Sequence, residues 1–203
     1  PAHADKQLSF TAYHAIGGVD GAIGKRAETA FAKLTLPDRD HLLQRVFREL
    51  VTVDERGTST RQRALLSKFD ADERLLIRAF ADARLLVTQE DTVEVAHEAV
   101  FRSWKWLASW IEDTQDDLRL LRQVRNAAQE WDERGQPDFL RWNAERLALV
   151  VAMLERLKPE LNEVEQDFIE PEQLRLESEL ASLRPDEQSH ERRRDIGDRL
   201  AVI

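Results

Sequence analysis

The sequence predicts a mainly α-helical fold, built from a small helical segment, a winged helix with a short β-hairpin, and then an α-helical bundle. Apolar residues recur at helical spacing along most of the 203 residues, and the composition is rich in residues that favour helices. Strand-like patterns are confined to Val51–Val53 and to residues 85–95. Hydrophobic residues make up 42% of the chain, which is enough for a core in one or two domains.

Residues 1–36 form the predicted small helical segment. Leu8–Ile16 is a short apolar-periodic stretch that ends at two consecutive glycines. Asp20 is placed to cap a second helix, which runs to about Leu34. One face of that helix is apolar and is expected to be buried: Ile23, Ala27, Ala30, Phe31 and Leu34.

Residues 37–96 have the element order of a winged helix. The predicted elements are a helix from Pro37 to Leu50, a short strand at Val51–Val53, a short helix at Thr60–Phe69, a longer helix from Asp70 to Arg84, and a hairpin at residues 85–95. The hairpin, whose strands are joined by Gln89-Glu90-Asp91, is the predicted wing. The longer helix stands where such a domain carries its recognition helix.

The rest of the chain is predicted to be helical, with a bundle at residues 97–183 and a charged helical linker at residues 184–203. Gly135 is expected to end a long helix. Pro159 is expected to begin a further helix in its first turn, and Pro171 to interrupt the series again.

Five tryptophans occur between positions 104 and 142. A platform on which a ligand stacks is conceivable. A helical core is the better explanation, because Trp104, Trp110 and Trp131 fall on apolar faces. Trp106 and Trp142 are expected to be partly exposed.

Composition excludes several classes of protein. The net charge is −9, and no basic stripe is present, which argues against non-specific nucleic-acid binding. No apolar stretch approaches the roughly 18 residues of a membrane span, and no secretory signal opens the sequence. The absence of cysteine excludes disulfides and thiolate metal sites and suits a cytoplasmic location. Because the first residue is proline, the chain is expected to be a part of a longer protein.

His97 and Glu98 lie at the predicted junction between the hairpin and the next helix. An imidazole at such a junction can point at a ligand bound outside the domain, and it can donate a hydrogen bond to a phosphate oxygen. The alternative is a histidine that bonds only to the local backbone. The helix dipole favours a negative charge at a helix N-terminus, and this explains the carboxylate of Glu98. Adjacent residues do not have the spacing of a zinc site, so no metal site is predicted.

Four short motifs occur in order along residues 8–170. They are the glycine-containing patch Tyr13–Ile23, the patch Val95–Trp104, the spacing Trp131-x-x-x-Gly135 and the spacing Glu165-x-x-Phe168. Their order and spacing resemble the segment downstream of the ATPase core in the STAND family of signal-transduction NTPases. In particular, they resemble the bacterial branch that is often coupled to WD40 repeats or other C-terminal sensor modules.

The resemblance implies a nucleotide-dependent switch. In that family a P-loop ATPase domain precedes a small helical domain, a winged helix and a further helical region, and ADP or ATP selects a closed or an open form. Gly17, Gly18 and Gly21 match the glycine-rich turn that approaches the adenine, and His97 matches the histidine that contacts the ADP β-phosphate. Better-known members have a proline at the position of Asp20. This sequence therefore departs from the family pattern at the adenine contact. In the family an aspartate commonly stands next to this histidine. Glu98 takes its place here and also carries a carboxylate.

The implied role of this chain is regulatory and non-catalytic. The sequence contains no GxxxxGK[ST] run, so the chain is expected not to be an enzyme and to hold no cofactor itself. ADP or ATP with Mg is expected in the parent protein. The expected partners are the upstream P-loop ATPase domain of the same protein and a downstream sensor or effector module. Whether the parent oligomerises is left open.

Two functions of other classes are alternatives. The first is a fragment of a winged-helix transcription regulator that binds DNA. The helix at residues 70–84 carries four acidic and three basic residues, whereas a groove-reading helix is usually basic. The second is a helical scaffold for protein contacts with no link to a nucleotide.

Overall fold

The computed structural model of the chain describes residues 18–183 and 187–201. Within these residues the fold is mainly α, as predicted, with nine α-helices and five short strands. The predicted stretch Leu8–Ile16 and Gly17 lie outside the described residues. The chain divides into two compact units between Arg122 and Gln123. The domain boundaries predicted after residues 36, 96 and 183 stay predictions.

The first unit begins with two helices, α1 (Gly18–Ala32) and α2 (Arg39–Leu50). α1 starts before Asp20, so Asp20 lies in the first turn instead of at the predicted cap. A carboxylate in the first turn still interacts favourably with the helix dipole. α2 buries the apolar stripe that its periodicity predicts: Leu42, Leu43, Val46, Phe47 and Leu50.

Two small antiparallel sheets follow from the strand-like segments. The strands are β1 (Val51–Val53), β2 (Ser59–Arg61), β3 (Ala64–Leu65), β4 (Leu86–Gln89) and β5 (Thr92–Val95). β1 pairs with β2, and β5 lies between β3 and β4. The hairpin predicted at residues 85–95 is therefore confirmed, with Leu86 opposite Val95 and a two-residue connection at Glu90-Asp91.

The prediction of a short helix at Thr60–Phe69 is wrong. The stretch contains strand residues and one 3₁₀ turn at Leu66–Lys68. Thr60 pairs with Thr52, and Ala64 pairs with Val93. In so short a segment apolar spacing does not separate a helix from a strand, and the neighbouring strands decide the outcome.

α3 spans Ala71–Asp82 and begins at a capping box. The Asp70 carboxylate accepts a hydrogen bond from the Glu73 backbone N–H at 2.9 Å, and the Glu73 carboxylate accepts one from the Asp70 N–H at 2.8 Å. The bond from the Glu73 N–H, followed by the nearby Arg45 guanidinium, lowers the pKa of Asp70. Arg45 forms ion pairs with both carboxylates, so the cap also joins α3 to α2.

α4 (Ala99–Ser103) and α5 (Lys105–Glu133) are separated by Trp104, whose backbone is extended. The helical bundle predicted from residue 97 thus begins with one short and one long helix. Trp104 is 1% exposed, and four aromatic rings lie with their centroids 5.5–5.9 Å from its ring: Phe31, Phe47, Phe80 and Trp106. A continuous helix through residue 104 would not place the indole in this cluster. The predicted role of Trp104 as a core residue is confirmed.

The second unit has its own core around Trp131. Trp131 is buried with Ala128 and Phe168, and partly buried residues pack against these three: Ala127, Leu140, Trp142, Val164 and Ile169. Arg141 stacks over the Trp131 ring, with its guanidinium carbon 4.2 Å from the centroid. Gly135 has a φ of 78°, as expected of a glycine that ends a helix.

α6 spans Ala144–Leu157 and buries Val150, Met153 and Leu157. α7 (Glu163–Ile169) contributes Val164, Phe168 and Ile169 to the core around Trp131. The helix predicted to start at Pro159 begins instead after Asn162. The Asn162 side chain accepts a hydrogen bond from the Glu165 N–H, and the Glu165 side chain accepts one from the Asn162 N–H. This capping box satisfies two backbone donors that a proline start would leave without side-chain partners. The break predicted at Pro171 is confirmed.

α8 (Glu172–Ser182) and α9 (Glu187–Leu200) are joined by ion pairs, and Ile196 of α9 is buried. All residues of α8 are described, and none is buried. Arg192 pairs with Glu179 at 2.6 Å, and Arg199 pairs with Glu172 at 2.8 Å. The hydrogen bonds from these arginines lower the pKa of both glutamates.

We therefore expect α8 and α9 to open at low pH or high salt before the rest of the chain unfolds. A carboxylate whose folded pKa is lowered stabilises the fold above its unfolded pKa, and this stabilisation is lost as the pH falls through the folded pKa. Amide hydrogen exchange of α9 should accelerate towards about pH 3 after correction for intrinsic rates, and in about 1 M NaCl at neutral pH. E172Q/E179Q should exchange quickly already at neutral pH and low salt. Equal protection of α9 in the variant and the parent chain would contradict this dependence.

Candidate functional site

His97 occupies the junction between β5 and α4, as its sequence position predicts. The side chain is exposed, and its Nδ1 accepts a hydrogen bond from the Ala99 backbone N–H at 3.1 Å. An imidazole nitrogen that accepts is unprotonated, so the neutral ring carries its proton on Nε2. No hydrogen bond joins Nε2 to any residue in the described ranges. The bond to the backbone therefore orients the ring, and its Nε2–H has no hydrogen-bond partner among the described residues.

The alternative interpretation of His97, that it bonds to the local backbone, is thus correct for one of its two ring nitrogens. The bond to His97 satisfies the backbone N–H of Ala99, the first residue of α4. That N–H has no acceptor within the helix. It leaves the other nitrogen available. One histidine can fill both roles, because Nδ1 and Nε2 point in different directions.

Glu98 anchors the same junction to the first sheet. Its Oε1 accepts a hydrogen bond from the backbone N–H of Arg61 at 3.1 Å. The side chain makes no capping hydrogen bond to α4. The predicted explanation, a carboxylate held only by the helix dipole, therefore omits its main contact. Glu98 limits how far the residue next to it, His97, can move away from β2.

α4 lies directly against α1, and Gly24 makes this contact possible. A Cβ on Gly24 would lie 2.1 Å from the carbonyl oxygen of Ser103 and 2.9 Å from its carbonyl carbon. Real side chains do not approach a backbone atom so closely, so only glycine fits between the two helices. The sequence alone did not indicate this role of Gly24. A glycine inside a helical pattern is the signal that was available.

Two side-chain contacts fix α1 against the segment after His97. The Trp104 indole Nε1–H donates to the Glu28 carboxylate at 2.8 Å. Arg102 forms an exposed ion pair with Asp20 at 3.2 Å. Asp20, which departs from the pattern of better-known relatives, therefore has a structural partner in this chain.

The described glycines of the predicted glycine-rich turn, Gly18 and Gly21, lie in a helix. Gly18 and Gly21 are the first and fourth residues of α1, and Gly17 lies outside the described residues. The structure brings the helix that carries Gly18 and Gly21 against α4, the helix that His97 precedes. An adenine contact at these glycines stays a prediction.

A group of buried charges was missed because charged residues are expected at the surface. Arg48, Glu49 and Glu73 are each less than 7% exposed. Arg48 Nε lies 3.4 Å from Glu49, whose carboxylate also pairs with Lys68 at 3.6 Å, while Glu73 pairs with Arg45 at 2.8 Å. Burial lowers the pKa of Arg48. The opposite charges compensate one another, as buried charges require.

The described residues contain no cluster of three or more His, Asp or Glu side chains suited to a metal ion. None of the described helices is both long enough and apolar enough to cross a bilayer. The geometry around His97 supports hydrogen bonding to an anion. The prediction that this chain is not an enzyme stays a prediction.

Comparison with known proteins gives one family. The family model described as Novel STAND NTPase 1 matches residues 2–138, which include α1, the two sheets, His97 and all of α5. No curated protein and no solved structure matches the chain.

Proposed function

Because this chain belongs to the Novel STAND NTPase 1 family, we propose that it is the non-catalytic regulatory region of a STAND-type NTPase. In this proposal the chain couples the ADP or ATP state of an upstream P-loop domain to a downstream sensor or effector module. The nucleotide and its Mg belong to the upstream domain. The proposal includes a cytoplasmic location for the parent protein.

The observation that supports the proposal best is the geometry of His97. The Nδ1 bond to Ala99 orients the ring, and Nε2–H remains as a donor on an exposed surface. A phosphate oxygen of ADP held by the neighbouring ATPase domain is a suitable acceptor. A hydrogen bond to a charged group contributes about 1.5–3 kcal/mol, which corresponds to roughly tenfold or more in the balance between two states.

Such a contact acts as a switch when it forms in one conformation only. A ligand shifts a conformational equilibrium by the difference in its affinity for the two states. ADP would favour the closed form, in which His97 reaches its phosphate, and loss of that contact would release the region 37–96. The helix–sheet–helix–hairpin order of that region supports the winged-helix interpretation, which belongs to this proposal.

The contact with α1 extends this effect beyond His97. Three residues of α1 contact the segment 102–104. Gly24 lies against the Ser103 backbone, Glu28 accepts a hydrogen bond from Trp104, and Asp20 forms an ion pair with Arg102. Movement of His97 with α4 would therefore move α1 as well. We propose that this is how the first helical segment and the region 37–96 respond together to the nucleotide.

The test compares the full-length native protein with the 203-residue chain. Both are purified without added nucleotide and denatured, and the released nucleotides are quantified by ion-exchange chromatography. The full-length protein should release about one ADP per chain and the short chain none, since the latter has no P-loop. A full-length protein without a P-loop, or one that releases no nucleotide, would contradict the proposal and favour the scaffold alternative.

A further inference from the structure

A basic groove lies in the first unit between α1 and the C-terminal end of α3. Its cavity has a volume of about 820 Å³. The apolar part of its lining consists of alanines: Ala22, Ala30, Ala79 and Ala83. Small side chains let the backbone of a partner element approach closely. This groove is lined by a different set of α1 residues from those that contact α4.

The rim of the groove is positively charged. Lys25, Arg26, Lys33 and Arg84 line it and are exposed, and Asp82 is the carboxylate among its described lining residues. Four cations and one carboxylate give a local charge of +3 in a chain whose net charge is −9. None of the four cations forms an ion pair within the described part of the chain. Their charge is thus left for a partner.

Arg84 occupies a backbone position that normally takes glycine. It is the residue after the α3 C-cap, with φ of 57°, and its N–H donates to the Ala81 carbonyl while the Leu85 N–H donates to the Phe80 carbonyl. This is the Schellman arrangement, in which glycine avoids the steric strain of the left-handed conformation. The chain carries an arginine there in spite of that strain. This position directs a fourth cationic side chain to the rim of the groove.

From this groove we infer a docking site for an acidic amphipathic helix of a protein partner. The alanine floor suits the close approach of a helix with small apolar residues, and the cationic rim suits glutamates and aspartates on both of its flanks. The lining residues on one side run from Ala22 to Lys33. At ~1.5 Å per residue this is about 16 Å, which is enough to contact three turns of such a helix.

A protein partner fits the observations better than a nucleic acid. Tight binding to a phosphate backbone requires cations spread along its path, typically about 6–10 phosphate contacts. Here the four cations border an apolar floor in a groove, and the rest of the chain is acidic.

The test measures binding of a fluorescent peptide to the complete 203-residue chain by anisotropy. The peptide has about 18 residues, with alanine and leucine on one face and glutamate on both flanks, a length at which helices begin to form in water. Controls are a scrambled peptide of the same composition, a peptide with lysine in place of glutamate, and a labelled DNA duplex. The variants are K25E/K33E/R84E, A22W, R84G, and the control R56E/K105E, whose residues are exposed and lie outside the groove.

We expect the acidic peptide to bind better than either peptide control or the duplex. K25E/K33E/R84E should weaken binding by about tenfold or more, given the usual strength of exposed charge pairs, and R56E/K105E by less than about twofold. A22W should block the groove without any change in charge. R84G should raise or preserve the Tm and still weaken binding, which a purely structural role of Arg84 would not produce. Equal binding of the scrambled peptide, equal effects of the two charge-reversal variants, or preferred binding of the duplex would overturn the inference.

Discussion

Replacing Gly24 with alanine is expected to lower the free energy of unfolding of the first unit by about 2 kcal/mol. The new Cβ would lie 2.1 Å from the Ser103 carbonyl oxygen, so α1 and α4 must move apart. Alanine favours a helix over glycine by roughly 1 kcal/mol, which offsets only part of the strain. Separation also weakens the hydrogen bond from Trp104 to Glu28 and the packing of the aromatic cluster around Trp104. Urea unfolding followed by tryptophan fluorescence measures the change.

Gly197→Ala is the matched control. Gly197 also lies inside a helix, α9, but a Cβ there meets no atom within 4 Å. The same substitution should therefore stabilise its helix by about 0.5–1 kcal/mol, the difference in helix propensity. The two variants thus have effects of opposite sign. Unfolding of Gly24→Ala at the same urea concentration as the parent chain would show that α1 and α4 are not held in contact.

Replacing His97 in the full-length protein is expected to increase the rate of ADP release about tenfold or more, on the basis of one lost hydrogen bond to a charged group. Two variants separate the roles of the two ring nitrogens. His97→Ala removes both the bond to the Ala99 N–H and the outward donor. In His97→Asn the amide oxygen can still accept from the Ala99 N–H, since asparagine side chains readily bond to the backbone two residues on, but the side chain is too short to replace Nε2. Release of a fluorescent ADP analogue measures both variants.

Both variants should release ADP quickly if His97 senses the phosphate. Retention in His97→Asn close to that of the unmodified protein, with fast release only in His97→Ala, would show that His97 acts as a local cap. Glu98→Gln is the control for the junction, because an amide oxygen can accept the same hydrogen bond from the Arg61 N–H. It should retain ADP normally.

In the proposed function, the side chain of His97 makes a structural contact through Nδ1 and a nucleotide contact through Nε2. Glu98 binds β2, Trp104 and Arg102 bind α1, and Nδ1 of His97 binds the start of α4. These bonds fix the position of the ring. A preorganised donor loses little conformational entropy when its acceptor arrives, which makes the single bond more effective. A histidine on an unrestrained loop would serve less well.

Several features could be predicted from the sequence because they depend on residues close together along the chain. The apolar stripe of α2, the hairpin at residues 85–95, the glycine end of α5 and the strand-to-helix position of His97 all follow from local patterns. Periodicity over many residues identifies a helix well, whereas the ten residues at 60–69 were too few to separate a helix from two short strands. The Asn162 capping box was present in the sequence, and the stronger signal of Pro159 concealed it.

The mainly α class, most of the helical segments and the position of His97 follow from local sequence, because hydrophobic periodicity and turn residues act over a few positions. Four features become visible only in the folded chain: the role of Gly24, the partner of Glu98, the buried cluster of Arg48, Glu49 and Glu73, and the basic groove beside α1. Each of these depends on atoms far apart in the chain that meet after folding. A glycine or a charge has the same local signal whether it faces solvent or a neighbouring helix, so its environment must be known before its role can be assigned.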